Sequence, residues 1–260
     1  MSSRIHLGIA CVLAAAFAAC GGGQKSSEPA SSTAPAASAP ASAPEPLPGN
    51  STISGRVKFE GTAEKPRVIR MASDPVCGRE GQGATSEVLL VGPANELQNV
   101  FVYVKDGLGD RKFTPPSTPV MLDQKGCQYM PHVFGVQVGQ PVEIINSDST
   151  LHNVHAVAKT NTEFNFAQPA PMKNSRTFDK PEIMVPFKCE VHGWMNSYAG
   201  VVPHPFFAVS KPDGTFEIKG LPAGTYTIEA WHEQLGMQTQ KVTVDGTAGA
   251  TADFAFKSQT

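Results

Sequence analysis

Phe187-Lys188-Cys189-Glu190-Val191-His192-Gly193-Trp194-Met195 sets a thiol, an imidazole and a thioether within seven residues, each donor two residues from the next. Ile183-Met184-Val185-Pro186-Phe187 runs into it as a strand, and Ala199-Gly200-Val201-Val202 leaves it as another. Upstream, Ser149-Thr150-Leu151-His152-Asn153-Val154-His155 offers a second imidazole just past a strand end. Two imidazoles and a thiolate in a plane, with a weak thioether on the axis, make the donor set of a mononuclear copper site suited to electron transfer. Soft sulfur suits Cu(I), imidazole suits both oxidation states, and a frame between tetrahedral and trigonal changes little when an electron arrives. One cysteine in the loop falls short of the two bridging thiolates of a dinuclear centre.

Outward from this loop, the chain reads as short alternating apolar runs broken by Gly, Pro and Asp, with no sustained helical period. The expectation is an all-β fold. Strands are predicted at 53–59, around Val100-Val102-Val104, at 120–123, 132–138 and 141–146, and over the runs flanking the Cys189 loop. Residues 71–87 and the polar excursion 161–180 read as loops, and Thr114-Pro115-Pro116 as a crossing between units. In the tail, Phe216 and Ile218, then Tyr226, Ile228 and Ala230 across Gly220-Leu221-Pro222-Ala223-Gly224, read as a hairpin. Val242–Val244 and Phe254–Phe256 close the fold.

Val136-Gln137-Val138-Gly139-Gln140-Pro141-Val142-Glu143-Ile144-Ile145-Asn146, then His152-Asn153-Val154-His155, then Cys189-x-x-His192-x-x-Met195 resemble, in that order, the cupredoxins of amicyanin or plastocyanin type. The resemblance implies a Greek-key β-sandwich over 117–205 holding one type 1 (blue) copper. It implies His152 rather than His155 as the first ligand, Cys189 and His192 as the other equatorial ligands, and Met195 on the axis. Asn153 takes the place of a side-chain amide that ties the two ligand loops together. For the axial position the residues themselves leave Glu190 or a water as alternatives to Met195, and His155 reads as a strand residue. Trp194 and Val191 form either a docking patch or core.

Asp213-Gly214-Thr215-Phe216 and Leu221-Pro222-Ala223-Gly224-Thr225-Tyr226 resemble a second family, the carboxypeptidase regulatory-like, transthyretin-like β-sandwich modules. Their opening Ile-x-Gly-x-Val pattern stands far upstream, at Ile53-Ser54-Gly55-Arg56-Val57. The expectation is one sandwich made of 51–116 and 206–258, with the cupredoxin inserted between its halves.

Residues 1–19 carry Arg4 and an apolar run too short to span a bilayer, which reads as a secretory signal. Phe17-Ala18-Ala19-Cys20-Gly21 resembles the bacterial lipobox, implying lipid on Cys20; the alternative is ordinary cleavage near Ala19. Residues 21–50 are nearly all Gly, Ser, Ala and Pro, too apolar-poor to pack, so 20–50 is a tether reaching at most roughly 3 Å per residue. Of five cysteines, Cys11 leaves with the signal, Cys20 takes the lipid and Cys189 is the expected copper ligand, leaving Cys77 and Cys127. In an oxidising compartment these pair as a disulfide; two free thiols, or a second metal site with His132, are the alternatives.

The net charge is −2 and no basic patch points to nucleic acid. The expected function is an exported electron carrier, not an enzyme, on the periplasmic face of a bacterial membrane, as an outer-membrane lipoprotein. A multicopper enzyme would need further histidine clusters, which the sequence does not display. Copper scavenging or metallochaperoning without electron traffic is the alternative. The sequence does not name a redox partner.

Overall fold

A computed structural model describes residues 49–258. The signal segment, Cys20 and all of the tether but its last two residues lie outside the described residues. In chain order the described residues form β1 (Ser51–Glu60), helix α1 (Pro75–Glu80), β2 (Phe101–Asp106), β3 (Val120–Lys125), β4 (Gln128–Met130), β5 (Val133–Gln137), β6 (Val142–Asn146), β7 (His152–Ala156) and β8 (Phe164–Gln168). There follow β9 (Met172–Arg176), β10 (Glu182–Lys188), β11 (Asn196–Val202), β12 (Phe207–Val209), β13 (Thr215–Leu221), β14 (Gly224–His232), β15 (Gly236–Val244), β16 (Ala250–Thr251) and β17 (Phe254–Lys257). The fold is all-β and sandwich-like, as the alternating pattern predicts. Among the described residues no helix is long and apolar enough to cross a membrane.

Two buried clusters organise these strands. Sheets β13-β1-β16, with β17 also on β1, and β12-β2-β14-β15 share a core that includes Ile53, Val57, Phe59, Val102, Phe216 and Ile228. Sheets β4-β3-β6-β9 and β5-β11-β10-β7-β8 share another, with Leu122, Tyr129, Ile144, Val154, Phe187 and Val201. Ile69, Met71, Cys77 and Ala84 join this second core, so the segment after β1 crosses to the other sandwich before the chain returns at β2.

Three local expectations are corrected. Residues 71–87 are not all loop: Asp74 accepts the Val76 and Cys77 N–H groups and Pro75 opens α1, an N-cap followed by a proline whose missing donor costs nothing there. The 161–180 excursion contains β8 and β9; Phe164 and Phe166 alternate on β8, while β9 is a polar strand at the sheet edge, where periodicity gives no signal. The tail hairpin does not form. β13 pairs with β1 and β14 with β2 and β15, so the Gly220–Gly224 turn carries the chain between sheets, braced by the Tyr226 hydroxyl donating to Pro222 O at 2.9 Å.

β2 is buried on both faces. Val102 and Val104 enter the first core, while Phe101 and Tyr103 face a junction cluster with Val133, Met184 and Val202. Phe101 lies against Gly200 and Gly135, which are register partners on the parallel strands β11 and β5. A Cβ on Gly200 would meet the Phe101 ring at 2.3 Å, and one on Gly135 would meet it at 2.8 Å. Both glycines are there for close approach. Gly200→Ala should therefore lower stability in denaturant unfolding by about 1–3 kcal/mol, and Phe101→Leu in the same chain should recover part of that loss. Additive effects of the two changes would show that the ring does not rest on this glycine pair.

Candidate metal centre

β7 and β10 are antiparallel neighbours, with Lys188 opposite His155 and Phe187 opposite Ala156. That pairing brings the start of β7, at His152, to the end of β10, at Cys189. The loop beyond Cys189 closes on itself, with Met195 N donating to His192 O at 2.9 Å and Cys189 N donating to Met195 O at 3.2 Å. His192 is thereby folded back over Cys189, and Met195 is buried in the same cluster as the cysteine.

The donor atoms of His152, Cys189 and His192 all lie within 4.8 Å of one another, and all three residues are buried. His152 Nδ1 and His192 Nδ1 are 3.1 Å apart, and Cys189 Sγ is 3.8 Å from His192 Nδ1. Nitrogens bonded to one ion at about 2.0 Å each must lie within about 4 Å of one another, and a sulfur at about 2.3 Å falls slightly farther out. The N₂S set fits one small ion. Its softness suits copper.

Each donor is held from behind. Cys189 Sγ accepts the N–H groups of Asn153 and His192, both at 3.4 Å. The Asn153 amide oxygen accepts the Glu190 N–H at 3.3 Å, tying the two ligand loops. His152 Nε2 lies 2.9 Å from Asp148 Oδ2, and Asp148 also accepts the Gly126 and Cys127 N–H groups. Trp194 stacks on His192 with ring centroids 5.0 Å apart and donates to Cys127 O at 3.0 Å, whereas Val191 is half exposed. The Tyr129 hydroxyl donates to Asn153 O at 2.6 Å, with Lys188 O at 3.2 Å, and so spans the strands of both loops.

Cys77 and Cys127 are joined as a disulfide. Two further groupings, Asp74-Cys77-His192 and Cys127-Asp148-His152, reuse the same histidines, but their sulfurs belong to this disulfide and supply no thiolate. His132 is engaged by Glu233 and, at 3.9 Å, by Glu87. His155 lies between Glu163 at 2.7 Å and Glu190 at 2.5 Å on the face of β7 away from the site. Sequence reasoning missed Asp74, Asp148 and Tyr129. Asp148 stands four residues before His152 and Asp74 precedes a proline, but the sequence shows neither facing an imidazole.

The electrostatics of the metal-free site follow from these contacts. Burial works against a charged His152, but hydrogen bonds to Asp148 and Cys189 outweigh it and raise its pKa to about 9. Burial also opposes the Cys189 thiolate, yet His152 and the backbone N–H groups of Asn153 and His192 bring its pKa below the ordinary thiol value. Burial, then the neighbouring His152 charge, lowers His192. Because His152 is raised, its contribution to metal-free stability is full below its ordinary 6.5 and is lost as pH rises through about 9. A metal needs that imidazole neutral. Cu(II) loading at pH 7.5 should release at least one proton per copper, read by calorimetry in buffers of different ionisation heat, with copper affinity climbing up to about pH 9. Loading without proton release would contradict a protonated His152.

No family model matches the chain, and no curated protein matches it. Solved structures similar to it include a copper-containing nitrite reductase from Thermus scotoductus SA-01, at 22% identity and a TM-score of 0.31 over 36% of this chain. An oxidised proline-to-glycine variant of amicyanin is 22% identical with a TM-score of 0.30, covering 38% of this chain and 97% of that one. A purple cupredoxin from Nitrosopumilus maritimus is 18% identical with a TM-score of 0.28, covering 32% of this chain and 98% of that one. The chain spans about a quarter of the nitrite reductase, 24% of its length.

Proposed function

We propose that this chain is an exported, membrane-tethered protein with one type 1 copper, carrying single electrons for a partner protein. The convergence of one donor atom each from His152, His192 and Cys189 within 4.8 Å carries the reading. In it the chain is a cupredoxin over 117–205, and the flanking sandwich is a carboxypeptidase regulatory-like module. Copper, when bound, supplies a one-electron couple in a geometry that suits both oxidation states. The chain supplies the rest. Two rigid strand ends hold the thiolate and His152, the closed Cys189–Met195 loop holds His192, and burial of all three keeps water from adding ligands. Met195 is the weak axial donor of this reading, and such a full donor set favours electron traffic over handing metal on.

Cu(II) loading should give an intense thiolate-to-copper charge-transfer band at one copper per chain. Cys189→Ser and His152→Ala should abolish it, while Met195→Gln should keep the band and lower the reduction potential, because an oxygen donor favours Cu(II) over Cu(I). A colourless, tetragonal copper spectrum would overturn the assignment. A blue protein with slow self-exchange that yields its copper readily to a chelator would be a scavenger instead.

The tether rests on Phe17-Ala18-Ala19-Cys20 and the unpacked composition of 21–50. Cys20→Ser should move the chain from the membrane fraction to the soluble one. Retention at the membrane, or a native chain that is already soluble, would remove the lipid anchor from the reading.

A further inference from the structure

Beyond the donors themselves, the outer nitrogens of both histidines meet carboxylates from different parts of the chain. Asp148 serves His152 from four residues away. Asp74 serves His192 from a segment that sequence distance gives no reason to associate with it, with Oδ2 3.4 Å from Nε2. The same Oδ2 accepts the Thr150 hydroxyl at 3.0 Å, two residues before His152. Its Oδ1 accepts the N–H groups of Val76 and Cys77, at 2.7 and 2.9 Å. One carboxylate thus joins α1, the His152 loop and His192.

The disulfide closes this arrangement. Cys77 on α1 is bonded to Cys127, whose N–H donates to Asp148 Oδ2 at 2.8 Å. The element that carries Asp74 is therefore covalently linked to the turn that orients Asp148. Cys77 Sγ also lies 3.7 Å from His192 Nε2. With Trp194 against the ring face, the outer edge of His192 is covered, and the residue is only 3% exposed.

We propose that α1, through Asp74 and the Cys77–Cys127 disulfide, clamps His192 with Nδ1 toward the copper and biases the site toward Cu(II). The proposal rests on the copper reading above. Asp74 is a positioning residue in it. At 3.4 Å the contact to Nε2 is long for a hydrogen bond, so the negative charge beside a buried imidazole matters more than one lone pair. Negative charge behind the ligand makes imidazole a better donor, which benefits the dication more than the monocation. The disulfide keeps α1 seated, which keeps both the charge and the cover in place.

Asp74→Asn is the decisive variant, because asparagine caps a helix as well as aspartate does and leaves the three donors untouched. It should retain the thiolate band while Cu(II) affinity falls about ten- to a hundredfold, Cu(I) affinity falling less. The potential should rise by about 59 mV for each tenfold by which Cu(II) loses relative to Cu(I). A copper-free measurement accompanies it: alkylation of Cys189 in the metal-free full chain, read by peptide mass. This should be slow in the wild type and at least about tenfold faster in Cys77→Ser/Cys127→Ser, where α1 can lift away. A wild-type chain without the thiolate band sinks the copper reading. A chain with the band whose potential does not move in Asp74→Asn overturns the clamp's electrostatic role alone, and Cys189 equally protected with and without the disulfide overturns its role as cover.

Discussion

The antiparallel pairing of β7 with β10 is the constraint on which the site depends. The buried face of β7, His152, Val154 and Ala156, sets its register, and in it His155 faces Lys188 and Ala156 faces Phe187. The two loops that carry donors must then leave the sheet side by side. The contacts that follow, Asn153 N–H to Cys189 Sγ and Glu190 N–H to the Asn153 amide oxygen, are consequences of that register. A one-residue slip would turn every side chain of β7 to the opposite face and take His152 out of the buried set.

Burying three polar donors is costly unless each is satisfied, because the low dielectric that strengthens a good hydrogen bond also penalises a missing one. Beneath the His152 loop a second layer of polar groups holds the loop in place. Asn146 donates its amide to the carbonyls of Thr150 and Gln168, and its Oδ1 accepts the Asp148 N–H. Gln124 donates to Ile145 O and to Gln168, whose own amide reaches Asn174 and Ile144 O. The loop geometry is thus set from β3, β6, β8 and β9 together, not by the loop's own sequence.

The two sandwiches meet along Phe101–Val104 of β2, a stretch buried on both faces. Its valines fill one core and its aromatics meet the other sandwich, where paired glycines let a phenyl ring approach the backbone. The segment from Ile69 to Ala84 crosses the same boundary in the other direction and brings the disulfide to the site. The candidate metal centre therefore includes residues from outside the strands that bear its donors.

What was legible from the sequence was what depends on local order. The alternation of Val142 and Ile144 specifies the half-buried β6 because side chains in a strand have a period of two, whereas β5 is buried on both faces and ends before Val138; the Cys189-x-x-His192-x-x-Met195 spacing displays a donor set because one short loop carries it. The expected compartment and tether rest on the signal-like segment and composition alone and concern residues outside those described. Tertiary structure alone decided the partners of each strand: a turn such as Gly220–Gly224 has the same composition whether it joins neighbours in a sheet or spans two sheets, and a polar edge strand such as β9 buries too little to leave a pattern. It also decided the groups behind the donors. In sequence Asp74 looks like a loop residue and Asp148 like a turn residue; Asp74 meets His192 only because the fold and a disulfide between positions 50 residues apart bring it there, while Asp148 meets His152 across four residues once the turn is formed. The Asp74–His192 contact runs between side chains distant in the chain, and no local periodicity records it.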